Sequence, residues 1–183
     1  MTWPARSLRT RLASSALACL LAAGCVIAPK ADLGSAQVLS GRLSVRVEAT
    51  PDSAARNLSA AFELRGDGRQ GQLDLSTPLG SVLAQARWAP GSVVLATPGS
   101  ERSFADLDAL TREALGETVP IEALFDWLRG RSWPGAPSVA HPSSPGFSQL
   151  GWDVDLARFD EAWIGAQRPA PPAVLVRARL DRP

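Results

Sequence analysis

A single imidazole, His141, is the one side chain in the 183 residues whose ordinary pKa suits proton transfer near neutrality. It stands beside Pro142 in the least regular stretch of the chain, and no G-x-S-x-G elbow occurs to supply a nucleophile. A Ser-x-x-Lys pair is excluded as well, because the only lysine, Lys30, precedes the first predicted strand. Asp153 and Asp155 share one face of a strand, as a carboxylate pair would. They alternate with Trp152 and Val154, however, which assigns them to the solvated side. Gly66-Asp67-Gly68 lacks the strand-to-helix setting of a phosphate loop. One histidine and two cysteines, Cys19 and Cys25, leave no ligand set for zinc. Covalent catalysis, a metal and a cofactor are all unexpected, so the protein reads as a non-enzyme.

Cysteine chemistry of another kind is indicated at the N-terminus. Arg6, Arg9 and Arg11 form a basic opening, followed by a polar-poor run from Leu12 to Ala23 that is shorter than the roughly 20 apolar residues of a bilayer span. Ala22-Ala23-Gly24 leads directly into Cys25, which resembles the bacterial lipobox, where the cysteine is acylated and becomes the new N-terminus. Residues 1–24 are therefore expected to be a lipoprotein signal peptide, Cys25 the lipidation site, and residues 25–37, with Pro29, Gly34 and Ser35, a lipidated tether. A plain secretory peptide cut after small residues is the simpler alternative. Removing residues 1–24 takes away three arginines and no acid, so the formal net charge passes from +1 to −2, with no footprint for nucleic acid. It also removes Cys19, and an exported domain without a disulfide must be held by its core. By resemblance to lipoprotein sorting, Val26 in place of Asp implies the periplasmic face of the outer membrane.

From Leu39 onward the apolar period is two. Leu43, Val45 and Val47 alternate with Arg42, Ser44 and Arg46, and further alternations follow at Leu58 to Leu64, Leu73 to Leu75, Val82 to Trp88 and Ser92 to Ala96. Five closely spaced strands predict an antiparallel meander. The period then becomes 3.6. Ser103 with Asp106 forms a plausible capping box for a helix ending at Gly116, and Pro120 opens a second, with Ile121, Leu124, Phe125 and Leu128 on one face until Gly130. A Pro- and Ser-rich connection over 130–146 would run along an edge. Strand character returns at Phe147 to Gln149, Trp152 to Leu156 and Val174 to Leu180. The fold class is α+β, mainly β: one strongly curved antiparallel sheet with a short helical insertion on its concave side. A simple open sheet fits the same pattern.

Four stretches recur in a familiar order behind the lipobox-like signal: Gly41-Arg42-Leu43-Ser44-Val45-Arg46, Ser76-Thr77-Pro78-Leu79-Gly80, Pro120-Ile121 through Trp127-Leu128-Arg129-Gly130, and Gln149-Leu150-Gly151-Trp152-Asp153-Val154. From Leu39 to Arg182 the sequence resembles the LolB family of outer-membrane lipoproteins, which take other lipoproteins from the periplasmic carrier LolA. The resemblance implies a LolA/LolB-like incomplete β-barrel over residues 38–183, with helices covering an apolar cavity. It implies a monomer whose partners are LolA, lipoprotein acyl chains and outer-membrane lipids, and transfer driven by affinity without nucleotide. The run after Pro169 is shorter than the family's last strands, which predicts a reduced final hairpin.

The same resemblance nominates the site. The acyl-chain cavity would be lined by Leu43, Val45, Val47, Leu58, Phe62, Leu64, Leu73, Leu75, Trp88, Leu124, Trp127, Leu128, Trp152 and Val154, although ordinary core packing accounts for the same positions. Trp127, off the stripe of its helix, either closes that cavity or packs under the loop around Trp133. Pro78, Leu79 and Gly80 would form a membrane-insertion loop, since the family's matching leucine assists release into the bilayer. From the residues alone, Leu79 either projects from the turn or folds back onto the core. The rival functions are an anchored carrier of another lipid and a structural adaptor.

Overall fold

A central strand with a neighbour on each side organises the molecule. The computed structural model describes residues 38–181, so the expected signal peptide, Cys25 and the expected tether lie outside the described residues. Strand β1 (Leu39–Val47) is followed outward by β2 (Arg56–Gly66), β3 (Gly71–Ser76), β4 (Val82–Ala89), β5 (Ser92–Thr97) and β6 (Ser100–Phe104). The chain then leaves the sheet for helices α1 (Leu107–Leu115) and α2 (Ile121–Trp127). It re-enters at the opposite edge as β7 (Ser138–Ala140) and steps back through β8 (Gly146–Gln149), β9 (Trp152–Asp155), β10 (Trp163–Arg168) and β11 (Val174–Leu180) to pair with β1. The sheet order is β6-β5-β4-β3-β2-β1-β11-β10-β9-β8-β7, antiparallel throughout. β6 and β7 are its two edges and do not pair, so the barrel is incomplete, and the helical connection runs from one edge to the other. The described residues form one compact unit with its own core.

Period two decides the faces. In β1 the side chains of Val45 and Val47 are buried while Arg42 and Arg46 are exposed, and Val45 sits between Leu58 and Val176 in the ladder. At one end of the inner face aromatic rings fill the space. Trp88 meets Phe125 of α2 edge-on, with centroids 5.7 Å apart, and its indole N–H donates to Asp67 O at 3.0 Å. Gly71 makes room for that ring: a Cβ there would lie 2.5 Å from it.

The other side of the core centres on a buried amide. Gln149 is 2% exposed and all its hydrogen-bonding capacity toward the core is used. Its Oε1 accepts from the Trp127 indole at 2.8 Å and from the Trp133 backbone N–H at 2.9 Å. Its Nε2 donates to the carbonyls of Trp133 and Ala136, both at 2.7 Å. This settles the position of Trp127: it is 0% exposed, packs against Phe147 and Trp152, and lies under the loop around Trp133.

Several local expectations change. Ser103 belongs to β6, and Asp106 alone caps α1, its carboxylate accepting from Ala109 N–H at 2.6 Å. β6 escapes sequence reading because Ser-Glu-Arg-Ser carries no apolar alternation, being an exposed edge. β10 escapes it because Ile164 and Ala166 alternate with Trp163 and Gly165, which leaves little polar contrast. The final hairpin is formed, with β10 paired to β11 from Trp163 to Arg168 and β11 to β1 from Gly41 to Val47. Pro120 caps α2, whose helical residues begin at Ile121.

Replacing Gln149 by Leu strands two donors and two carbonyls in the interior. At about 1 kcal/mol or more for each unsatisfied group, the substitution should cost about 3–4 kcal/mol, read as a lowered midpoint in urea unfolding. A loss under about 1 kcal/mol would mean that the loop around Trp133 is held by other contacts.

Candidate functional site

Between the inner faces of β1 to β5 and the two helices lies a cavity of about 640 Å³, within the range of pockets that enclose small organic ligands. Six residues nominated from the sequence stand on its wall: Leu43, Val45, Leu58, Leu73, Leu75 and Leu124. The other eight, Val47, Phe62, Leu64, Trp88, Trp127, Leu128, Trp152 and Val154, are in the packed core and not on that wall. The division has a physical reason. Period two assigns a side chain to the inner face, but only packing against the helices decides whether the space beneath it is filled. The tryptophans and phenylalanines fill theirs, whereas leucines and alanines facing α1 leave theirs open.

Sequence reasoning missed most of the wall. Leu83, Ala84, Ala86 and Leu95 come from β4 and β5, and Leu110, Leu115, Val119 and Ile121 from the helical insertion. Ala84, Ala86 and Leu95 carried a signal, for they continue the alternation of Leu73 and Leu75 across the ladder (Leu73↔Ala86↔Leu95), whereas Leu83 lies at a register shift and is out of phase with them. Thr111 also lines the cavity, but its hydroxyl is engaged by Asp108 O and Val119 N–H, each at 3.2 Å.

Polar side chains gather at one end of the cavity. Arg56 and Asn57 start β2, and Thr97 ends β5. The Arg56 guanidinium donates to the carbonyls of Glu113 and Ala114 at 3.4 Å, placing a cation at the C-terminal end of α1, where the helix dipole favours it. Arg102 of β6 donates to Glu113 at 2.8 Å and holds that carboxyl below its usual range by hydrogen bond and charge. The helix over the cavity is thus tied to the sheet by exposed polar contacts. Deeper, α2 is fixed by aromatic packing.

Leu79 is 95% exposed and does not fold back. Gly80 N–H donates to Thr77 O at 2.9 Å and Thr77 N–H to Ser81 O at 2.8 Å, closing a tight turn in which Pro78 and Leu79 are the central pair. Gly80 follows at φ 86°, a conformation that glycine adopts without strain. The leucine is therefore held outward by backbone geometry. Val82, also exposed, follows it, and the next two residues, Leu83 and Ala84, are on the cavity wall.

His141 does meet a serine and a carboxylate, in an arrangement unsuited to nucleophilic catalysis. Its Nε2 lies 3.2 Å from Ser148 Oγ, and that hydroxyl donates to Asp153 Oδ1 at 2.7 Å. The serine proton points at the carboxylate and not at the imidazole. Asp155, on the same strand face, is exposed and accepts from Ala157 N–H at 2.8 Å. Among the described residues, no cluster of three histidine, cysteine, aspartate or glutamate side chains could hold a metal ion.

If the cavity admits apolar ligands, an uncharged fluorescent hydrophobe should brighten on binding. Ala84→Trp, which projects bulk into the void, should weaken that uptake roughly tenfold with little change in thermal midpoint, because the added ring enters empty space and does not overpack a filled core.

Comparison with known proteins completes the site. A family model described as "Outer membrane lipoprotein LolB" matches residues 35–179. The chain is 37% identical over 179 residues to the outer-membrane lipoprotein LolB of Bordetella petrii, covering 90% of this chain and 89% of that protein. It is 38% identical over 181 residues to the LolB of Bordetella parapertussis, covering 90% of each. Against the LolB of Cupriavidus metallidurans it is 30% identical over 184 residues, covering 96% of this chain and 88% of that one.

Proposed function

The chain belongs to the LolB family of outer-membrane lipoproteins, and on that premise we propose that it accepts lipoproteins from the periplasmic carrier LolA and inserts their acyl chains into the outer membrane. One observation carries this reading: an apolar cavity with an outward-held leucine on the hairpin that forms part of its wall.

The physical need is plain. Burying acyl CH₂ groups is worth about 0.8 kcal/mol each, so one long chain contributes on the order of 10 kcal/mol and a multiply acylated anchor is effectively insoluble. Transfer through water requires an apolar surface at every step. The wall from Leu43 to Val176 supplies one, with Arg56, Asn57 and Thr97 at the end where a glyceryl or peptide portion would meet water. Direction then follows from affinity alone, the receiving cavity holding the chains better than the carrier's and the bilayer better than either. Lipidation at Cys25 with the tether of residues 26–37 keeps the domain at the membrane that is the end point.

Leu79 has the final role. Burial of one leucine gives about 1.5–3 kcal/mol. That biases the hairpin tip into the headgroup layer without anchoring the domain, so the cavity is brought to the bilayer and can leave again. Leu79→Glu should therefore slow insertion of cargo at least about tenfold, with transfer from LolA to the domain unchanged. Both steps are read by mixing carrier-bound lipoprotein with a soluble form beginning at Leu33, with and without liposomes and without nucleotide. Insertion at the normal rate by the Leu79→Glu variant would refute the role of the leucine. Failure of cargo to move onto the domain would refute the whole reading.

A further inference from the structure

On the outer face, away from the cavity, the sheet bears a second depression that the cargo pathway does not use. A groove of about 630 Å³ runs over β1, β11 and β10, bordered by Arg42, Arg177, Arg179, Arg158 and Trp163. Arg42 and Arg179 are direct partners in the β1–β11 ladder, and Arg177 lies two residues along the same face. Like charges directly opposite one another destabilise a sheet, so this pairing has a cost. Among the described residues, Arg42, Arg177 and Arg179 form no ion pair. Arg46, Arg87, Arg102 and Arg131, by contrast, each have a carboxylate within 4 Å. Asp155 is the one acid on the groove wall, and Arg158 is engaged by Glu161. The three remaining arginines leave the groove with net positive charge. Trp163 forms part of its wall, its ring flanked by the guanidinium groups of Arg158 at 5.4 Å and Arg179 at 5.7 Å.

We propose that this arginine groove binds the phosphate-bearing headgroups of anionic phospholipid, so that the outer face of β1 and β11 rests on the membrane to which the chain is tethered. Two features favour this occupant over an acidic protein. The groove begins at Arg42, three residues after β1 starts, and the chain entering β1 there is the one that leads back to Cys25. Residues 26–38 reach at most about 45 Å when extended, so a charged bilayer surface is always within range. A tryptophan between guanidinium groups also suits the headgroup level, where amphipathic rings collect, and phosphate oxygens match the forked donors of arginine. The inference rests on the outer-membrane location and not on cargo transfer.

The test uses the soluble form beginning at Leu33 and sedimentation with vesicles of phosphatidylcholine, with and without phosphatidylglycerol. Binding should require phosphatidylglycerol and weaken as sodium chloride rises from about 0.05 to 0.5 M. Each arginine near an anionic surface is worth about fivefold in affinity, so R42S/R177S/R179S should lose roughly 100-fold. Its thermal midpoint should be unchanged or higher, because the opposed charges are gone. Leu79→Ala should lower binding to every vesicle alike while leaving the dependence on phosphatidylglycerol and salt intact, which separates this contact from the hairpin tip. Undiminished vesicle binding by the triple variant would overturn the proposal, and so would equal binding to pure phosphatidylcholine. Saturation by inorganic phosphate without vesicle binding would assign the groove to a free anion. Loss of LolA binding with vesicle binding intact would assign it to an acidic protein surface.

Discussion

An apolar cavity survives in a protein only where the residues around it are prevented from collapsing inward. Here the restraint is the difference in length between what the sheet spans and what the helices fill. The ladder through β1 is paired on both sides and cannot contract. Trp88 against Phe125, and Trp127 within the Gln149 hub, fix α2 at one end of the inner face. Aliphatic side chains from β1 to β5 then meet α1 across a space they do not fill. Bulk at one end props the other open.

That arrangement gives the two helices unequal holds. The buried faces of α2 (Ala123, Phe125 and Trp127) lie in the core, so moving it would expose aromatic surface. α1 buries Leu107, Leu110 and Thr111, but its C-terminal half is attached through Arg56 and through the Arg102–Glu113 pair, all exposed to water. Exposed ion pairs contribute little and weaken with salt. Further along, Glu117 and Arg168 tie the segment between the helices to the end of β10, half-buried, with Arg168 also over Trp152. The side of the cavity nearest Leu83 and Thr97 is therefore covered by the more weakly attached helix.

How much of this could be read in the sequence depended on whether the signal was local. Alternation in Leu43-Val45-Val47 and in Leu73-Leu75 fixed strands and faces, and Pro78-Leu79-Gly80 announced a tight turn whose outward leucine the structure displays. Strands with little polar contrast (β10) or no apolar alternation (β6) were silent. The cavity was legible only in part, because a void is a property of what faces a residue and not of the residue. Val47 and Val45 are chemically alike and two positions apart, yet one packs and the other borders open space. The arginine groove was equally hidden, since Arg42 and Arg179 are brought together by the pairing of the first and last strands of the sheet.

The incomplete barrel carries a hazard that its two borders are shaped to meet. A sheet that stops without closing offers free amide and carbonyl groups to any other extended chain, and a compartment crowded with unfolded exports contains many. β6 is five residues long and bears Glu101 and Arg102, and β7 has three residues bracketed by Pro137 and Pro142. Brevity, charge and proline each discourage a foreign strand from adding itself. Openness, which the hydrophobic interior requires, is thereby kept from becoming a seed for aggregation.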